Sequence, residues 1–301
     1  MTEPSKAAVL RDRKIVAVSG TDRGKFLQGL TTNDIRLLAP DRALYTGFLT
    51  GQGKLLCDAL VFQDGEQILI DVAAAFAEDF VRRLNAFKLR AAVEIGEAAP
   101  ALAVAAIWGP QAAPRMALET LEGAAGKDAL AEARCAFVDP RLAALGTRLV
   151  FPADVAIEAE LARLGFDSAT AADYAAHRVA LGIADTSEIG GEVCYPLEAN
   201  FEMLHGVDFR KGCYIGQELT ARMKHKIELR KRVLPVSAST ALPPAGTPVT
   251  ADAIALGPLI AASGTRGLAL LRLDRLADAN AVSIRAQDVP LTIHWPNWLP
   301  R

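Results

Sequence analysis

Cysteine, histidine and net charge are all scarce in this chain of 301 residues, and each shortage closes off a class of chemistry. The four cysteines (Cys57, Cys135, Cys194 and Cys213) are scattered, and no two form a C-x-x-C pair. A zinc ribbon or a self-contained iron–sulfur ligand set is therefore not expected. Four histidines are spread over the chain, and His177 has no second histidine at helical i, i+4 spacing, which argues against hydrolytic zinc chemistry. Neither a G-x-x-x-x-G-K-[ST] loop nor a G-x-G-x-x-G turn is present, so nucleotide-binding readings lack support. Met1 to Lys14 mixes charges without an apolar stretch, and no run reaches the ~18–20 apolar residues of a membrane span. These features predict a soluble, reduced, cytoplasmic protein with no disulfide framework and no membrane partner. A net charge of −2 argues against bulk electrostatic binding of nucleic acid.

What the chain does have is material for a core. Hydrophobic residues make up 51% and charged residues 23%, an ordinary globular balance, and the length suits two or three domains. Val9 to Val18 reads as a hairpin-like pair of short strands, followed by a helix carrying Phe26, Leu27 and Leu30. Ala43–Thr50, Leu55–Phe62 and Gln67–Val72 read as strands joined by the Gly51-Gln52-Gly53 and Asp64-Gly65 turns. Ala73 to Phe87 has the spacing of an amphipathic helix. Further strands are expected at Ala91–Ile95, Leu102–Trp108 and Thr147–Phe151, with an alanine-rich helix over Pro114–Arg134. Helices at Glu158–Leu164 and Ala169–Leu181 follow. Beyond Leu242–Pro248 the chain breaks into short strands between Gly, Pro and Asp turns, as a small barrel or sandwich would. This order predicts α+β layers rather than a regular βαβ succession.

The densest chemistry lies in Lys211-Gly212-Cys213-Tyr214-Ile215-Gly216-Gln217-Glu218. An amine two residues before the thiol is a setting that can raise its thiolate fraction, so Lys211 and Cys213 are the candidate reactive pair. Cys213 can be a nucleophile, a redox switch or a transient ligand for a soft metal centre, and the bland alternative is a buried thiol. Between residues 208 and 232 stand eight cationic groups: Arg210, Lys211, Arg222, Lys224, Lys226, Arg230, Lys231 and Arg232. They oppose Asp208, Glu218 and Glu228. They make either a solvated face or a site for a polyanion gripped by charge-assisted hydrogen bonds. Interleaved aromatics are almost absent, which disfavours direct RNA contact. Upstream, Asp58 is placed to accept hydrogen bonds from a nitrogen-rich ring or to be an ordinary exposed strand residue. The polar cluster Thr31-Thr32-Asn33-Asp34 suits a turn or a ligand-facing loop.

The octapeptide resembles the signature of YgfZ-type proteins, folate-binding relatives of the glycine-cleavage aminomethyltransferase (T-protein, GcvT). Other blocks share the resemblance: Gly20-Thr21-Asp22, Phe26–Leu30, Thr32-Asn33-Asp34, Gly51–Lys54 with Asp58, His177-Arg178, Pro196–Asn200 and Arg230-Lys231-Arg232. Together they span residues 9 to 235. The later blocks look especially similar to the mitochondrial branch that serves late iron–sulfur cluster assembly. The resemblance implies a GcvT-like three-part α+β architecture. Two intertwined subdomains (residues 1–232) would surround a tetrahydrofolate pocket, with a small β-barrel at 233–301. It implies a folate-binding factor for assembly or repair of iron–sulfur clusters. Its partners would be assembly proteins and [4Fe–4S] client enzymes, radical-SAM enzymes among them. Cys213 and Lys211 would carry the chemistry, with Asn33, Asp58, Arg178, Glu198, Tyr214, Gln217, Glu218 and Arg222 at the folate. A folate-dependent aminomethyl or other one-carbon transferase is the enzyme alternative. Against it, Cys57 stands where the aminomethyltransferase has an aspartate, and Ala180 stands where it has an acid.

Overall fold

The computed structural model describes residues 5–126, 132–225, 229–252, 254–278 and 283–300. The chain forms two compact units, each assembled from separate stretches. One comprises Met1–Leu49, Cys57–Tyr174 and Leu204–Ile215; the other comprises Thr50–Leu56, Ala175–Met203 and Gly216–Arg301.

The first unit holds two sheets. Strands β1 (Lys6–Val9) and β2 (Arg13–Ser19) do not form the expected hairpin. Strands β3 (Leu44–Leu49), β4 (Leu55–Asp64), β5 (Gln67–Ala73) and β6 (Glu94–Glu97) join β2 in one sheet, in the order β3-β4-β5-β2-β6. The ladder of β2 on β5 runs antiparallel from Arg13↔Ala73 to Val18↔Ile68. β1 instead enters a six-stranded sheet with β7 (Leu102–Trp108), β8 (Ala125–Gly126), β9 (Cys135–Val138), β10 (Thr147–Pro152) and β11 (Asp167–Ser168), ordered β11-β1-β7-β10-β9-β8. Both edges of β2 are taken, by β5 on one side and on the other by β6, which is as short as β1, so β1 finds its ladder partners in β7 and β11.

Helix α1 (Arg23–Gln28) and helix α2 (Ala74–Lys88) lie with this first sheet, α2 burying Ala77, Phe80 and Leu84. Phe80 meets Phe48 edge-on at 4.7 Å between centroids, in a core with Val16, Val61 and Ile70. A second core gathers Ile107, Leu149 and Phe151 with Ile157 and Leu161 of α4 (Ile157–Arg163).

The alanine-rich helix is also corrected. Among the described residues of this stretch only α3 (Ala112–Arg115) is helical; residues 127–131 lie outside them. Alanine propensity is a weak prior when a segment's backbone has other partners. Here the Ala43 amide donates to Gly123 O (2.8 Å), Gly123 to Val138 O (3.2 Å) and Ala125 to Asp41 O (2.9 Å). Gly123 itself sits at φ +81.

In the second unit, α5 (Ala171–Ala180) continues from the first, and α6 (Thr186–Ile189) and α7 (Gln217–His225) follow. Then comes a seven-stranded, nearly closed barrel-shaped sheet. Its strands are β12 (Lys231–Ser237), β13 (Pro248–Ala251), β14 (Ile254–Ser263), β15 (Arg266–Arg272), β16 (Ile284–Ala286), β17 (Val289–Pro290) and β18 (Thr292–Ile293). Leu234, Val249, Leu259 and Leu271 fill it. The β-rich ending expected from the sequence is therefore a barrel.

Candidate functional site

Cys213 is the one exposed thiol; Cys57, Cys135 and Cys194 are buried. Burial pushes the Cys194 thiol up to about 12 and Cys57 higher still, so neither offers thiolate near neutral pH.

The loop bearing Cys213 is held by its neighbour. Lys211 is buried, and its Nζ donates to three backbone carbonyls: Gln28 O at 2.9 Å, Thr31 O at 2.5 Å and Asn33 O at 2.9 Å. Those carbonyls converge because the chain turns sharply after α1. Thr31 N bonds Leu27 O, and the single proton of the Thr31 hydroxyl lies within reach of either Leu27 O (2.9 Å) or Asn33 O (3.0 Å). Such a carbonyl cluster calls for a donor-rich cation, and an ammonium with three protons matches it. The Tyr214 ring lies 4.8 Å from the same Nζ, and Ile215 N bonds Gly29 O at 3.0 Å. Burial pulls the Lys211 ammonium down to about 8, against the raising pull of Asp34 and Asp208.

Asn33 completes the lacing. Its side-chain amide donates to Tyr45 O (2.8 Å) and His205 O (2.7 Å), and its Oδ1 accepts from Asp34 N (2.8 Å). Thr32 Oγ1 donates to Gly206 O at 2.5 Å. Asp34 accepts from the Arg36 guanidinium through both oxygens (2.9 and 2.6 Å), and that hydrogen bonding holds its carboxyl at about 2. The structure thus gathers Asn33, Lys211 and Tyr214 around one latch beside Cys213.

Asp58 is almost wholly buried, with its carboxylate 3.8 Å from Arg141. It belongs to an ionic network that the sequence reading missed. Arg141 chelates Asp139 (2.9 and 2.7 Å), Arg148 stands 3.7 Å from Asp139 and 3.6 Å from Asp71, and Arg13 bonds Asp71 at 2.7 Å. The signal was present: Asp71 and Arg148 are single charges inside otherwise apolar strand runs, and charges in such places are nearly always paired.

The remaining candidates lie in the second unit. Arg178 is buried against Glu188 (2.9 and 2.7 Å) and donates to Ile183 O (2.7 Å). Glu198 accepts from Tyr195 N (2.9 Å), and Lys54 stands 4.3 Å from the Tyr195 ring. Gly53, at φ +79, touches the signature directly: a Cβ there would lie 2.9 Å from Gly216 O. Two motifs separate in sequence are therefore one contact. Gln217, Glu218 and Arg222 ride on α7, with Glu218 and Arg222 exposed. Of the basic block, Lys224 pairs with Glu202, and Arg232 donates to Asn200 Oδ1 at 2.7 Å. Lys226 and Glu228 lie outside the described residues.

Fold and motif together define a class. The family model described as "GCVT N-terminal domain" matches residues 12–145, and that described as "CAF17, C-terminal beta-barrel domain" matches residues 230–301. The crystal structure of glycine cleavage system aminomethyltransferase T from Bartonella henselae superposes with a TM-score of 0.80 at 15% identity, covering 99% of this chain and 87% of that one. At that identity it establishes the GcvT-like fold. Closer in sequence is "Iron-sulfur cluster assembly factor IBA57, mitochondrial" of Mus musculus, 32% identical over 97% of this chain and 84% of that protein. The homologue from Aspergillus fumigatus is 32% identical over 90% of this chain and 71% of that protein. The chain belongs to the IBA57 family of iron–sulfur cluster assembly factors. The expectation of a cytoplasmic protein is overturned by these relatives, which are named as mitochondrial.

Proposed function

We propose that this chain serves iron–sulfur cluster assembly, with Cys213 as its working thiol. The observation that carries this is selective exposure. Three cysteines are buried, while Cys213 stands in solvent on a loop latched by Lys211. A thiol so placed can lose its proton to solvent and give a sulfur electron pair to iron. One thiolate fills one coordination position of a cluster, so the other ligands come from the protein that delivers or receives it. Lys211 is a positioning residue in this reading, since its protons go to carbonyls. The clients are [4Fe–4S] enzymes, radical-SAM enzymes among them, as the family resemblance implies.

Tetrahydrofolate was implied by the same resemblance, but several of the residues assigned to it do not fit that role. Asn33 and Arg178 spend their donors on internal carbonyls and carboxylates, Asp58 faces Arg141, and Glu198 caps Tyr195 N. Calorimetric titration of the purified chain with tetrahydrofolate tests its binding independently of the role of Cys213.

The decisive experiment uses a strain lacking this gene. Wild type should restore [4Fe–4S] enzyme activities, and Cys213→Ser, shown by thermal melting to be folded, should not. Full restoration by the serine variant would remove the thiol from the function.

A further inference from the structure

The second unit contains a cleft of about 330 Å³ that none of the signature residues lines. Its walls are apolar: Val179 and Leu181 at the end of α5, Pro235 on β12, and Pro296. The wall is braced by Trp298, whose Nε1 donates to Leu181 O at 2.9 Å. Its size is at the small end of ligand sites, about 300–1,000 Å³.

The polar side of the cleft is built by strand register. Ser237 on β12 is directly opposite Arg266 on β15, so their side chains emerge on the same face as neighbours. Ser237 Oγ is in turn 2.6 Å from His294 Nε2, and the His294 amide donates to Pro235 O at 2.8 Å. Ser237, Arg266 and His294 all line the cleft, and no carboxylate does. Among the described residues, the Arg266 guanidinium makes no ion pair. The cleft thus has one permanent, uncompensated positive charge, two hydrogen-bonding groups beside it, and an apolar floor.

We propose that this cleft binds a small carboxylic acid with a branched or aromatic apolar body. The planar guanidinium matches a carboxylate through two parallel hydrogen bonds, and Ser237 and His294 hold its edge. A single permanent cation balances a monoanion, which favours a carboxylate over a phosphate dianion. The site goes beyond the iron–sulfur reading and shares no residue with the cysteine loop.

Titration of the isotope-labelled full-length protein with benzoate, followed by amide and imidazole chemical shifts, tests this. Benzoate should produce saturable shifts centred on Ala180, Ser237 and His294. Benzyl alcohol, with the same body and no charge, should bind about tenfold or more weakly, as should benzoate to a folded Arg266→Gln variant; tenfold corresponds to about 1.4 kcal/mol. Phenyl phosphate should bind no better than benzoate. No saturable shift, equal binding of benzyl alcohol, unchanged binding to Arg266→Gln, or a clear preference for phenyl phosphate would each overturn the proposal.

Discussion

Replacing Lys211 with methionine keeps the length of the side chain and removes the ammonium that ties Gln28 O, Thr31 O and Asn33 O together. Asn33 O keeps the Thr31 hydroxyl as a partner, at 3.0 Å. The Gln28 and Thr31 carbonyls lose their lysine donor, and each buried acceptor left unsatisfied costs about 1–3 kcal/mol. Relief of the buried charge offsets part of this, because desolvating an ammonium is itself unfavourable. The expected net loss is therefore about 2–4 kcal/mol. Lys211→Arg should recover only part, since a planar fork cannot address three acceptors converging on one point. Urea denaturation measures the global effect. Amide exchange over residues 28–34 and 205–215 measures the local one, and protection there should fall more than in the barrel. If Lys211→Met kept wild-type stability and wild-type protection in those segments, the latch would be wrong and the amine would be free for other work.

Arg141→Met should destabilise the first unit by about 3–5 kcal/mol in denaturant titration, because it removes both guanidinium hydrogen bonds to the buried Asp139 and leaves that carboxylate with Arg148, at 3.7 Å, as its cation; adding Asp139→Asn should recover part of the loss. Asp34 titrates at about 2 in the folded chain, below its ordinary value of 3.8, so it contributes stability that is full above that value and is lost as pH falls through about 2. Carboxyl-carbon NMR should place the midpoint there, and Arg36→Gln should move it up towards the ordinary range. Gly53→Ala should cost about 1–3 kcal/mol, from a left-handed backbone and a Cβ driven against Gly216 O. A melting temperature equal to that of wild type would show that the turn can relax away from the signature.

Local patterns told most of the secondary structure. The apolar spacing of Phe80 and Leu84 specified α2, and the turn residues at Gly51–Gly53 and Gly65 separated β3, β4 and β5. Pairing was not legible. The run from Val9 to Val18 reads as a hairpin because apolar alternation records which residues are buried and not which edge they join, and β1 and β2 entered different sheets. The alanine-rich stretch misled for a related reason: its backbone partners, Asp41, Ala43 and Val138, are remote in sequence.

The candidate site divides along the same line. The octapeptide around Cys213, its two glycines and its flanking blocks belong to the sequence alone, and they were enough to place the chain in its family. Which cysteine meets solvent was a tertiary decision, because exposure depends on what packs over each thiol. The role of Lys211 was decided in the same way. Two residues from a thiol, an amine reads as its activator; in the folded chain its protons turn to carbonyls of residues 28, 31 and 33. Side-chain types and spacing record what chemistry is available. The direction in which a buried hydrogen-bonding group points is set by acceptors brought in from elsewhere in the chain, and only the fold supplies those.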